Sequence, residues 1–162
     1  MVTQDKHPIV RAMEHFNAGN LSTAMATLGC FFQDEPDNPD AHQLFGLIMA
    51  RAGQKEPALL HLMRSVELSP ERMDYAMNAG QLALSLNKLG MAEKAFRAAA
   101  QANPKNMEGW LWLSRTYEAQ NRLDDAVALL SEGIASLPDN ATLPNALGGL
   151  LLRQGHLQYF EH

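Results

Sequence analysis

Apolar residues recur every three or four positions along most of the chain. Trp110, Leu113, Ser114 and Tyr117 form one such series, and Ala126, Leu129, Leu130, Gly133 and Ile134 form the next. That spacing places them on one face of an α-helix, so the stretch predicts two amphipathic helices in succession. Turn chemistry separates the members of each pair: Ala18-Gly19-Asn20, Ala52-Gly53-Gln54, Gln120-Asn121-Arg122 and Gln154-Gly155-His156 all interrupt the pattern between a first and a second helix. Between pairs stand Pro/Asp/Asn runs such as Pro36-Asp37-Asn38-Pro39. There Asn38 can cap the next helix and Pro39 can take its first position.

The pairs obey one ruler. Pro36, Pro70, Pro104 and Pro138 are spaced 34 residues apart, and each closes an apolar helical pattern. The same ruler gives units 5–38, 39–72, 73–106 and 107–140 and a partial fifth unit 141–162, without an insertion or deletion. Ala12, Gly46, Gly80, Ser114 and Gly148 then fall in one small column, and Ala24, Ala58, Ala92 and Ala126 in a second. Small side chains let neighbouring helices approach, so these columns mark helix crossings. Leu28, Leu62, Phe96 and Leu130 form a third column that fills the space beside them. A period of this length is the mark of a repeat protein.

These columns resemble the tetratricopeptide repeat, most closely in the fourth unit with Trp110, Leu113, Ser114, Tyr117, Ala126, Leu130 and Pro138. The resemblance implies an all-α fold, a right-handed α-solenoid of antiparallel helix pairs forming a single array over residues 1–162. It also implies a non-enzymatic scaffold that binds a protein or peptide in a concave groove lined by the first helix of each pair. The last unit departs from the pattern, with Phe160 in the alanine column, and the chain stops at His162 within the expected second helix. Leu147, Leu150 and Leu151 are therefore expected to be partly bare, and the chain to be a fragment of a longer one.

Read by column, the groove face takes Ile9, Gln43, Met77, Leu111 and Asn145, then Val10, Leu44, Asn78, Trp112 and Ala146, then Met13, Leu47, Gln81, Arg115 and Gly149, then Phe16, Ala50, Leu84, Glu118 and Leu152. The candidates for peptide contact are Met77, Asn78, Gln81, Leu111, Trp112, Arg115, Glu118 and Asn145. Apolar anchors mixed with amides and one arginine suit an extended peptide or a helix, the amides holding its backbone and Arg115 an acidic group. Trp110 is expected inside the repeat, and Trp112, two residues on, toward the groove. Leu44, Leu47 and Leu84 are expected to pack against neighbouring helices. The chaperone-tail subfamily needs lysine, asparagine and arginine in fixed columns, where this chain has Ile9, Met13, Leu44 and Asp74 with only Asn78 polar. Asp40, Asp74 and Glu108 share a column in the first turns of first helices, where the helix dipole explains them without a ligand.

Composition changes this picture little. With 46% hydrophobic and 19% charged residues the chain is globular rather than disordered. A net charge of -5 without a basic cluster gives nucleic acid no electrostatic footprint. The start Met1 to Pro8 carries no secretory signal, and no apolar run is long enough to cross a bilayer, so a cytoplasmic protein without membrane insertion is expected. Cys30, the single cysteine, sits in the apolar run Leu28 to Phe32 and is expected to be a buried structural thiol. His7, His15, His42, His61, His156 and His162 include no i,i+4 pair, and no metal-ligand spacing, phosphate loop or nucleophile elbow is present, so no catalytic residue, metal or cofactor is expected. Two other readings accompany the scaffold: a self-association module using its terminal faces or its groove, and the non-catalytic arm of a glycosyltransferase or sulfotransferase, since similar arrays precede such domains.

Overall fold

The computed structural model describes the backbone of residues 6–160 and the side chains of residues 6–155. Asp5, where the first unit is expected to begin, His162 and the side chains of His156 and Phe160 lie outside them. Among the described residues the chain forms nine α-helices: α1 (Pro8–Asn17), α2 (Leu21–Asp34), α3 (Pro39–Arg51), α4 (Lys55–Leu68), α5 (Met73–Ser85), α6 (Leu89–Ala102), α7 (Met107–Ala119), α8 (Leu123–Ser136) and α9 (Thr142–Phe160). The second helices α2, α4, α6 and α8 are each 14 residues long. The fold is an all-α repeat. Its helices gather into two compact units that divide between Pro70 and Glu71, α1 to α4 in one and α5 to α9 in the other.

Local chemistry sets the helix ends. Asn38 Oδ1 accepts from Ala41 N–H at 3.0 Å, and Pro39 takes the first turn of α3. Asn106 repeats this at α7 and Asn140 at α9, accepting from Glu108 N–H at 2.8 Å and Thr142 N–H at 2.9 Å. Arg72 holds the same column before α5 and makes no cap. It grips Asp74 instead through Nε at 2.9 Å and Nη2 at 2.8 Å, and this contact first, then the guanidinium charge, holds the Asp74 carboxyl below its usual range.

Each turn inside a pair uses one left-handed residue. Gly19 and Gly53 have φ of 81° and 85°, and Asn87 and Asn121 have φ of 55° and 59°. The residue after each closes the turn on the preceding helix: Asn20 N–H reaches the His15 carbonyl at 2.8 Å, Gln54 that of Met49 at 2.9 Å, Lys88 that of Ala83 at 2.8 Å and Arg122 that of Tyr117 at 2.8 Å. These are Schellman closures, for which glycine and asparagine are suited because they tolerate that backbone region. Gln154-Gly155-His156 does not behave alike. The structure carries α9 straight through it.

The repeat columns do in space what small and large residues at those positions require. Ala24, Ala58, Ala92 and Ala126 are all fully buried, as are Leu28, Leu62, Phe96 and Leu130 to within 1%. A Cβ on Gly46 would come within 2.7 Å of Leu62 Cδ2, so glycine lets α3 close on α4 there without displacing Leu62. Gly148 meets nothing within 4 Å. In the first unit Ala12, Leu28, Phe31, Leu44 and Ile48 build the core, with Ile9, Phe16, Phe32 and Phe45 packed against it. Leu44 is buried, while Leu47 and Leu84 are half-buried.

Two expectations need correction. Cys30 is exposed. The buried stripe of α2 runs Ala24, Leu28, Phe31, so Cys30, two residues after Leu28, falls outside it despite its apolar neighbours. Leu150 is buried to 1%, because with Leu143 it forms the face that α9 lays on α8; the bare positions are Leu151 at 48% and Leu152 at 69%, with Leu147 between the two extremes.

Candidate binding face

All eight candidate residues stand in the second unit, Met77, Asn78 and Gln81 on α5, Leu111, Trp112, Arg115 and Glu118 on α7, and Asn145 on α9. On both α5 and α7 they occupy positions i, i+1 and i+4, which share one side of a helix. Gln81, Arg115 and Asn145 are exposed, Asn78, Leu111, Trp112 and Glu118 half-buried, and Met77 is buried in the core.

α7 is held firmly. Trp110 is buried, its indole N–H donates to the Pro104 carbonyl at 3.0 Å, and its ring lies on Gly133, where a Cβ would meet Cδ2 at 3.0 Å. At the far end Glu93 of α6 accepts from Arg97 at 2.8 Å, from Gln120 at 3.0 Å and from Arg122 at 2.9 Å, while Arg97 also donates to the Tyr117 hydroxyl at 2.6 Å. Burial alone would raise the Glu93 carboxyl; the Gln120 and Arg97 hydrogen bonds and the Arg122 charge outweigh it and hold the group below its ordinary range. The network joins α6, α7 and the α7–α8 turn.

From that base the structure brings three residues into a stack. Phe96, fully buried on α6, lies parallel to the Trp112 ring with centroids 5.6 Å apart and planes 14° from each other. The Arg115 guanidinium lies over the same indole, 5.0 Å from its centre. Trp112 is therefore an aromatic side chain fixed on a core ring, with a cation beside it at the surface. Glu118 is committed elsewhere: Arg153 of α9 bonds it at 2.5 Å. Asn78 and Gln81 remain on α5 and Asn145 on α9, apart from this stack.

Sequence reasoning missed the Phe96 platform, the Glu118 to Arg153 tie and a cleft of about 350 Å3 lined by Arg97, Gln101, Trp110, Leu129, Glu132 and Ser136. The third-column phenylalanine was a usable signal, since Phe96 stands where other units have leucine. Among the described residues no group of three or more His, Cys, Asp or Glu side chains is placed to hold a metal, and no helix is long and apolar enough to cross a membrane.

Comparison with known proteins agrees with the column pattern. The family model described as Tetratricopeptide repeat matches residues 83–151. Residues 83–151 thus carry tetratricopeptide repeats. A tetratricopeptide repeat-containing protein of Caenorhabditis elegans, trd-1, is 29% identical over 97 residues, which is 60% of this chain and 13% of that protein. The chain thus spans a small part of the relative it matches. A crystal structure of MamA protein superposes with a TM-score of 0.69 at 16% identity, covering 95% of this chain and 86% of the other. MamA from Desulfovibrio magneticus RS-1, residue 41 to the end, gives 0.66 at 16% identity, covering 91% and 84%. Identity this low speaks for a shared fold alone. A tetratricopeptide repeat match supports a protein-interaction scaffold in general terms.

Proposed function

We propose that the face carried by α5, α7 and α9 binds an extended peptide or helix of a partner protein. Trp112 and Leu111 serve as apolar anchors, Arg115 receives an acidic group, and Asn78, Gln81 and Asn145 bond the partner's backbone. The observation that carries the reading is the Trp112 ring, held parallel on Phe96 with the Arg115 guanidinium over it. An anchor already fixed in place loses little side-chain freedom on binding, which favours affinity. Met77 supports the face from within, and Glu118 braces α9 through Arg153.

A peptide-array screen followed by solution titration tests this, with Trp112→Ala and Arg115→Gln beside the unmodified chain. Loss of a fixed aromatic anchor should weaken binding by at least about tenfold, the range of an interface hot spot. Arg115→Gln should weaken acidic peptides selectively. Equal binding by all three proteins would remove the assignment.

Self-association is a second reading, favoured by the exposure of Leu151 and Leu152 on α9. Mass across a concentration series separates the two readings: growth that Leu152→Ser abolishes and Trp112→Ala spares supports self-association, and a constant mass leaves the peptide face.

A further inference from the structure

His42 on α3 and His61 on α4 meet in the first unit, Nδ1 to Nδ1 at 2.9 Å, although 19 residues separate them. Their ring centroids are 5.1 Å apart with planes 29° from each other. That separation nearly equals the nitrogen to nitrogen distance plus two ring radii. The two nitrogens therefore face each other along the line of centres, and the contact is an N–H···N hydrogen bond rather than a stack. On the other side of His42, Nε2 lies 2.8 Å from the Pro36 carbonyl oxygen. A carbonyl only accepts, so Nε2 carries a proton. Neutral His42 then offers a lone pair at Nδ1, and His61 donates to it from its own Nδ1.

Two aromatic rings enclose the pair. Phe32 of α2 lies 4.7 Å from His42 and 5.9 Å from His61, and Phe45 of α3 lies 4.8 Å from His61. The charged groups on the surrounding elements are Asp34 at the end of α2, Glu35 and Asp37 in the following loop, Asp40 and Arg51 at the two ends of α3, Lys55 and Glu56 at the start of α4, and Arg64 and Glu67 further along α4. Arg64 binds Asp37 at 2.7 Å and Glu67 at 3.3 Å, and Glu35 accepts from Asn38 at 2.9 Å.

We propose that His42 and His61 form a proton-counting clip between α3 and α4, closed while the two rings share two or three protons and opened by the fourth. The neutral pair holds two ring protons, one bonded to Pro36 and one between the rings. A third proton leaves one N–H···N bond intact whichever ring carries the charge. A fourth places an N–H on each facing nitrogen and two positive charges at contact distance beside two aromatic rings, where partial burial thins the water that would screen them. Burial first, and then the charge on His42, lower the affinity of His61 for a proton. The folded pair consequently binds fewer protons than the unfolded chain as pH falls below about 6.5, the ordinary histidine value, so its contribution is full above that pH and is lost below it. Acidification thus loosens α3 from α4 and uncovers Phe32 and Phe45.

Amide hydrogen exchange of α3 and α4 in the whole chain, corrected for the intrinsic effect of pH on exchange, tests the clip. Between about pH 6.5 and about pH 5 the opening constant should rise by up to about tenfold per pH unit, the effect of one linked proton. His61→Phe, which keeps an aromatic ring there, should give a flat profile. Parallel profiles for the two proteins would overturn the proposal. Nitrogen shifts of the imidazoles in the unmodified chain give a readout that needs no variant: at neutral pH the proton is expected on Nε2 of His42 and on Nδ1 of His61. The reverse placement, or a His61 ring that titrates independently of His42, would also overturn it.

Discussion

Gly80 lies directly beneath the Phe96 ring, so close that a Cβ on the glycine would fall 2.5 Å from Cε1. Phe96 is fully buried and cannot swing aside without displacing the Trp112 ring stacked on it. Gly80→Ala should therefore destabilise the second unit by about 1–3 kcal/mol, the usual cost of overpacking a core. Adding Phe96→Leu should recover part of that loss, because the two residues share one space. Both tryptophans of the chain stand on α7, so intrinsic fluorescence during denaturant unfolding reports this unit.

The left-handed turn residues give a second measurement. Asn121, with φ of 59°, should accept glycine with a change under about 1 kcal/mol, since glycine adopts that backbone freely. Asn121→Val should cost about 1–2 kcal/mol, because a branched side chain is strained there. Equal stability of the two variants would mean that the turn is not held by its backbone conformation.

Gln43 and Ser65 concern the first unit. The Ser65 hydroxyl has one proton and two acceptors in reach, the Leu62 carbonyl at 2.7 Å and Gln43 Oε1 at 2.9 Å. Gln43 Nε2 is buried without a partner. An orphaned buried donor costs about 1–3 kcal/mol, so Gln43→Met, of similar length, should raise stability by about 1 kcal/mol while Ser65 keeps its bond to Leu62. Thermal unfolding followed by circular dichroism checks the direction.

Glu93 sets an acid limit on the second unit. Its carboxyl titrates below the ordinary value in the folded chain, so its contribution is complete above about pH 4.5 and disappears as pH falls through the lowered folded value. Glu93→Gln should cost about 1 kcal/mol at neutral pH, modest because the network is partly exposed. Unmodified chain and variant should converge in acid. The pH dependence of the fluorescence-detected unfolding midpoint measures this.

Much of the fold was legible because close helix crossings demand small residues at a fixed interval, which is a one-dimensional signal. Ala24, Ala58, Ala92 and Ala126 carry it without exception. Cys30 shows where such a signal fails: an apolar run does not reveal the phase of the stripe within it. The turn expected at Gly155 fails differently. Glycine permits a left-handed turn without compelling one, and the alanine column that admits a returning helix elsewhere carries Phe160 here. On the candidate face, Trp112 was singled out from its offset to Trp110, but its platform and the tie between Glu118 and Arg153 join residues on different helices. The meeting of His42 with His61 likewise depends on the path of two helices.

The Schellman closures keep the contacts of the fold local in the chain. Each turn is completed by a bond spanning only six residues, and most packing joins a helix to its neighbour in the chain. Contact order is low, so little chain entropy must be lost before native contacts begin to stabilise the structure. Folding can start in either unit and spread helix by helix, without waiting for distant segments to find one another.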